Sequence, residues 1–215
     1  MNDLASRLSA YALSVSYEAL ARETIQRLKL HLLDSLACAI TACDEEAVRA
    51  AAACAPDSSG ATVWLRGRSS TVGGAAFANG VAVRSLDFND TYLSLEPAHP
   101  SDNLAALFAA AEARGRSGRE LLAAAAVAYD VQCALCDGMI LRDKGWDHPT
   151  YGSFSVAAGC GKLFGLDAER LRHALSIAIV TSPVLRRTRA GAISMWKGCA
   201  FAHAARNGVQ ACEAA

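Results

Sequence analysis

The chain has no surplus of charge of either sign: 21 Lys and Arg against 21 Asp and Glu give a formal net charge of zero, with the basic residues dispersed. A nucleic-acid binder concentrates Lys and Arg on one face, so that class of partner is not expected. No stretch of membrane-spanning length is free of charge, and Met1 to Leu8 has neither a basic start nor a long apolar run; the expectation is no membrane partner and a cytoplasmic location. There is no fixed-period repeat and no low-complexity tail, which excludes a solenoid or a collagen-like array. Strand signals are nearly absent. Only Ala61–Leu65 combines β-branched and aromatic residues in a short run, between turn-like segments at 56–60 and 67–70, and it reads as an extended connector.

Two cofactor motifs are incomplete. Cys133 and Cys136 have the spacing of a zinc or redox pair, but no second pair follows. The remaining cysteines, at 38, 43, 54, 160, 199 and 212, lie mostly among alanines, where a small thiol packs well. No metal is assigned, and a reducing compartment fits. Gly159-Cys160-Gly161-Lys162 imitates part of a phosphate loop but lacks the upstream glycine and the Ser or Thr after lysine. It reads as a glycine-softened helix contact.

What is present is helix after helix. With 215 residues and 53% hydrophobic content, the chain is read as one all-α domain over 1–215. From Glu18 to Thr41, Ile25, Leu28, Leu32, Leu36 and Ile40 recur at three- and four-residue steps, predicting one continuous buried stripe, with Ser16 as N-cap. Ser117 and Glu120 form a capping box before a helix over Leu121 to Leu135, slimmed by Ala123 to Ala126 and expected to be central. Asp167 is placed to cap a helix carrying Leu171, Ala174, Leu175, Ala178 and Ile179, and Ser101 one carrying Leu104, Leu107 and Phe108. His31, His173 and His203 fall within this background and read as packing or surface residues.

Three polar islands interrupt the alanine-rich background: Asp87-Phe88-Asn89-Asp90-Thr91 with His99-Pro100, Gly145-Trp146-Asp147-His148, and Ser194-Met195-Trp196-Lys197-Gly198. A helical bundle does not need such residues, and at segment ends their side chains can converge. If Leu86 to Tyr92 is helical, Asp87 and Thr91 share a face; the alternative is that Asp87 and Asp90 simply cap a helix. Pro100 disfavours helix at His99, so that imidazole comes from irregular backbone. His148, next to Trp146 and before Pro149, titrates near working pH when unperturbed, or else satisfies a nearby carbonyl. Lys197 follows the basic group Arg186, Arg187 and Arg189, which reads as solvated surface charge.

These islands, in this order, together with Leu32-Leu33-Asp34-Ser35-Leu36-Ala37, Ala78-Asn79-Gly80 and Ala205-Arg206-Asn207-Gly208, resemble the MmgE/PrpD family. That family includes dehydratases of 2-methylcitrate, decarboxylases of cis-aconitate and related epimerases. The resemblance covers the helical part of the family and implies an all-α bundle lacking the α+β lid domain. It implies Asp87 and Thr91 as substrate-binding residues, and His99, His148 and Lys197 as catalytic ones. His99 or His148 would move protons, and Lys197 would bind carboxylate and stabilise developing charge. The activity implied is cofactor-independent dehydration of a small polycarboxylate such as 2-methylcitrate, with decarboxylation or epimerisation of a di- or tricarboxylate as the alternative within the family. An alternative of another class is a catalytically incomplete or split member, a helical binding and dimerisation module. Its partner would be a second copy or a chain supplying the lid, and the helix reaching Cys212 would expose an apolar face.

Overall fold

Short side chains with an oxygen near the backbone decide where several helices begin. Asp3 accepts from Ser6 N at 2.8 Å and opens α1 (Leu4–Ser14). Thr71 accepts from Gly74 N at 3.1 Å and opens α4 (Val72–Arg84). Asp167 accepts from Arg170 N at 2.9 Å and opens α8 (Ala168–Thr181), and the Ser117/Glu120 capping box opens α6 (Gly118–Gly138). The computed structural model describes residues 3–215. Completing the order are α2 (Arg22–Thr41), α3 (Glu46–Cys54), α5 (Leu104–Ala113), α7 (Pro149–Phe164) and α9 (Trp196–Ala214), so the architecture is essentially all-α.

The segment expected to be an extended connector is a β-hairpin instead. Strand β1 (Asp57–Val63) pairs antiparallel with β2 (Arg68–Ser70), matching Ala61 with Ser70 and Val63 with Arg68, with a bulge between Asp57 and Ala61. Asn79 of α4 clamps it, accepting from Trp64 N and donating to Thr62 O, both at 2.9 Å. A pair of strands this short is marginal alone and is held by such docking.

Two expected caps act elsewhere. Ser16 caps a single 3-10 turn, Tyr17–Ala19, while α2 starts five residues later behind Ala21 without a side-chain cap. Ser101 lies inside a 3-10 turn, Pro100–Asn103, and α5 follows it directly. The stripe along α2 is not continuously buried: Leu28 is enclosed, Ile25, Leu32 and Leu36 are half-buried, and Ile40 is 58% exposed. Helix α6 is long and apolar enough to cross a membrane by length and composition, but 61% of that window is buried within the bundle, as in a core helix. More deeply enclosed still is α7, buried from Pro149 to Gly161. Gly159 and Gly161 lie within it against Leu107 and Leu171, a helix contact as read from the sequence.

The core is built around α9. Gly73 meets Arg206, Gly80 meets Ala202 and Ser85 meets Gly198, so α4 runs antiparallel to α9. Ser153 meets Gly208 and Ala157 meets Cys212, so α7 runs parallel to it. A Cβ on Gly80 would lie 3.0 Å from Ala202 Cβ, and one on Gly208 only 2.7 Å from the Ser153 carbonyl oxygen. Bare glycines therefore set the helix spacing. The expected exposed apolar face near Cys212 is absent, because Ala211 and Cys212 are buried against the bundle. As a result the C-terminus of α4 and the N-termini of α7 and α9 lie at one end.

Candidate active site

All three polar islands reach that end. The last residue of α4, Arg84, is 3% exposed, and the chain leaves the helix through Asp87, whose φ of +56° lies in the left-handed region. Residues 86–92 are thus a loop, not the helix on which Asp87 and Thr91 would share a face. Its return is fixed by a bridge between Tyr92 and Ala98, which delivers His99. Trp146 pairs with Leu185 beyond the left-handed turn at Gly145, and Asp147 N donates to Val184 O at 2.8 Å, which sets His148 at the head of α7.

Four charges alternate from the interior outward. Buried Asp102 lies 3.4 Å from Arg84 Nε; Arg84 Nη1 donates to Asp87 Oδ1; Lys197 Nζ donates to Asp87 Oδ2 at 2.9 Å. Burial pushes the Asp87 carboxyl up, but hydrogen bonds from Lys197 and Arg84 outweigh it and hold the group well below the usual range. Asp102 is pushed up to about 7 by burial, against the pull of Arg84 and of Asn89, whose Nδ2 donates to it at 2.7 Å.

The two histidines stand side by side, ring centroids 5.7 Å apart. His99 Nδ1 lies 2.7 Å from the Asp90 carbonyl oxygen, which can only accept, so Nδ1 carries the proton and Nε2 keeps its lone pair. That Nε2 is 4.0 Å from Asp87 Oδ1. His148 Nε2 lies 2.8 Å from Arg189 Nη2, which can only donate, so here the proton sits on Nδ1. Both imidazoles are held below their ordinary value, chiefly by burial and then by nearby guanidinium groups, His148 by a wide margin. They are neutral and share the Nδ1–H tautomer, but the nitrogen left without a hydrogen-bond partner is the bare Nε2 in His99 and the protonated Nδ1 in His148.

The structure therefore brings Asp87, His99, His148 and Lys197 into one cluster. Thr91 is placed at its exposed rim, 3.4 Å from His99 Nδ1. Sequence reading missed Arg84 and Asp102, named Asp90 and Asp147 within the islands without a role at the site, and took Arg189 for surface charge. Asp90 accepts from Ser101 N and Tyr129 OH, each at 2.9 Å, and lies 3.4 Å from His31 Nδ1, which fixes the loop that offers its carbonyl to His99. Asp147 accepts from Arg189 Nε at 2.6 Å and Thr188 Oγ1 at 2.9 Å, so Arg189 is not free surface charge. One signal was available: Arg84 is the lone charge in a helix otherwise of Gly, Ala, Val, Phe and Asn. Among the described residues no three His, Cys, Asp or Glu side chains are grouped to hold a metal ion.

A helical domain that gathers neutral imidazoles and three cations at one end is equipped for proton transfer beside a bound anion. Residues 6–215 match the MmgE/PrpD N-terminal domain, and the chain belongs to the MmgE/PrpD family. It is 33% identical over 136 residues to a 2-methylcitrate dehydratase of Cupriavidus necator, covering 57% of this chain and 28% of that protein. Against the 2-methylcitrate dehydratase of Escherichia coli (strain K12) the identity is 32% over 125 residues, 54% of this chain and 26% of the relative. The cis-aconitate decarboxylase of Homo sapiens is 32% identical over 215 residues, which cover 89% of this chain and 42% of that protein. The matched region thus spans less than half the length of each of these relatives.

Proposed function

We propose that the chain carries the proton-transfer half of a cofactor-independent lyase acting on a small polycarboxylate such as 2-methylcitrate. The observation that carries this reading is the juxtaposition of Lys197 and Arg84 with two neutral imidazoles, one with a free acceptor nitrogen, His99 Nε2, and one with a free donor, His148 Nδ1–H. Lys197 and Arg84 hold substrate carboxylates, exchanging them for Asp87, which with Thr91 orients the reacting hydroxyl. His99 Nε2 takes the proton from the carbon next to a carboxylate. His148 Nδ1–H hydrogen-bonds the oxygen on which charge develops, acting as a neutral donor. The carbon–oxygen bond then breaks, the proton on His99 passes to the departing hydroxyl, and water and an alkene leave the site as it began. Epimerisation passes through the same carbanion-like state and returns the proton to the other face, whereas decarboxylation reaches a similar state by loss of carbon dioxide and then takes up a proton.

A second reading has its own support. Phe88 and Leu93 are each 81% exposed, and Leu185, Ile193, Met195 and Trp196 are exposed too, all flanking the cluster in the chain. Apolar side chains of this kind beside a site favour a covering segment or partner. In this reading the chain is a helical binding and dimerisation module whose site a second chain completes. One assay separates the two. Purified protein is mixed with 2-methylcitrate, citrate and related acids, and the absorbance of the new conjugated double bond is followed, with Lys197→Ala as control and circular dichroism to verify folding. Turnover lost in the variant supports the lyase. Silence from folded protein rejects activity of this chain alone and leaves the module.

A further inference from the structure

Arg189 belongs to none of the roles assigned above, yet its guanidinium is fixed at two points. Its Nε donates to Asp147 Oδ2 at 2.6 Å and its Nη2 to His148 Nε2 at 2.8 Å. Asp147 is itself 1% exposed and anchored by Thr188 Oγ1 on one oxygen and the His148 backbone N–H on the other, at 2.9 and 3.0 Å. A guanidinium has five donors and no acceptor and does not lose its proton, so the imidazole nitrogen facing it must supply a lone pair. His148 is 5% exposed, and its other ring nitrogen, Nδ1, has no hydrogen-bond partner among the described residues. A buried donor without a partner is costly in a folded protein, and at a site it marks where a ligand oxygen will sit.

We infer that Arg189, clamped by Asp147, is a positioning residue that locks His148 as the neutral Nδ1–H tautomer, and so makes His148 the hydrogen-bond donor of the pair, while His99, whose Nε2 the Asp90 carbonyl leaves bare, is the proton acceptor. This assignment of roles rests on reading the cluster as a proton-transfer site, whereas the lock itself is a property of the resting protein. The groups facing His148 are Arg189 from the turn after α8, Arg84 from α4, His99 and Asp87 from the loop after α4, and Asp147 beside it, with the Phe201 ring from α9 closing the apolar side. Burial above all, and then two guanidinium groups and a second imidazole, oppose protonation, and Asp87 favours it. Their balance keeps His148 uncharged while Arg189 decides which nitrogen holds the proton.

The test reads the tautomer directly. Long-range proton–nitrogen correlation spectra of the uniformly nitrogen-15-labelled chain are recorded from about pH 5 to 8, the range in which an ordinary histidine changes charge. The His148 signals are assigned by their loss in His148→Gln. The expected pattern is a protonated Nδ1 and a bare Nε2 that do not titrate over this range. In Arg189→Met the two nitrogens average between tautomers and begin to titrate, and Arg189→Lys, which keeps a donor, restores much of the wild-type pattern. With a turned-over substrate, Arg189→Met lowers kcat on the order of 10²-fold, with a smaller change in KM. A wild-type spectrum showing Nε2–H, or a charged ring at about pH 7, overturns the inference even if no variant folds. So does an Arg189→Met spectrum identical to wild type. If the spectra are as expected but no polycarboxylate is turned over, the lyase reading fails while the lock stands.

Discussion

Replacing Asp102 with Asn asks whether a buried carboxylate supports or burdens this fold. Asp102 is 2% exposed and has one hydrogen bond from Asn89 and an ion-pair contact with Arg84. Burial raises its carboxyl from the ordinary 3.8 to about 7. A carboxyl whose folded value is raised binds its proton more tightly in the native state. Its contribution to stability is therefore complete below about pH 4 and is lost as pH rises through about 7. At about 1.4 kcal/mol per pH unit that loss is on the order of 4 kcal/mol. Asn at 102 keeps an acceptor toward Asn89 and removes the ionisation, and Arg84 keeps Asp87. His99 and His148 act in the opposite sense. Held neutral by burial, they make stability rise with pH until the unfolded imidazoles have lost their protons, near pH 6.5. The two trends offset each other in the wild type, and only the second remains in Asp102→Asn. In urea unfolding followed by far-ultraviolet circular dichroism, the variant should gain on the wild type by roughly 3 kcal/mol between about pH 5 and 8. A difference that stays flat over this range, or a variant that is the less stable at the upper end, refutes the reasoning. It would mean that Asp102 is ionised throughout and that its pairing with Arg84 outweighs its burial.

Further outcomes follow from the packing and from the loop anchors. Gly208→Ala puts a methyl group 2.7 Å from a backbone oxygen of α7, so the helices must part. Overpacking of about 1–3 kcal/mol exceeds the roughly 1 kcal/mol gained in helix propensity, and the melting temperature should drop by a few degrees. Gly118→Ala faces open space in the first turn of α6 and should raise the melting temperature slightly, by less than about 1 kcal/mol in stability. Tyr129→Phe deletes the 2.9 Å hydrogen bond to the Asp90 carboxylate. It should cost about 1.5–3 kcal/mol in urea unfolding, and slow any turnover by loosening the carbonyl that orients His99.

What the sequence made legible was local. The Ser117/Glu120 box and the Asp167 cap were readable because a capping oxygen and its target N–H lie within three residues. The hairpin was not, because Asp57-Ser58-Ser59-Gly60 shows no apolar alternation, and the later part of the strand and the turn after it are held, at Thr62 and Trp64, by the side chain of Asn79 on α4. Spacing of four between Asp87 and Thr91 looks the same in a helix and in a loop, and only the left-handed backbone at Asp87 separates them. The α2 pattern carried the right period, yet period does not say how much of a stripe finds a neighbour. Arg189 reads as one of a basic run until Asp147, 42 residues earlier, is seen beside it. Of the residues quoted for the family resemblance, the three polar islands led to the end of the bundle where the cluster lies, but their partners are tertiary and had to be seen.

The alternating series from Asp102 to Lys197 has a consequence for traffic through this end of the bundle. Its outermost anion, Asp87, is a tethered counter-ion that already occupies Lys197. Any polycarboxylate arriving there competes with a side chain whose local concentration no dilution can lower. Net affinity is the difference between two carboxylates for one ammonium group, so weak holding and quick exchange are built into the resting arrangement. Added salt screens the incoming anion and the half-exposed tether together, and therefore changes the rate of arrival more than the outcome of the competition.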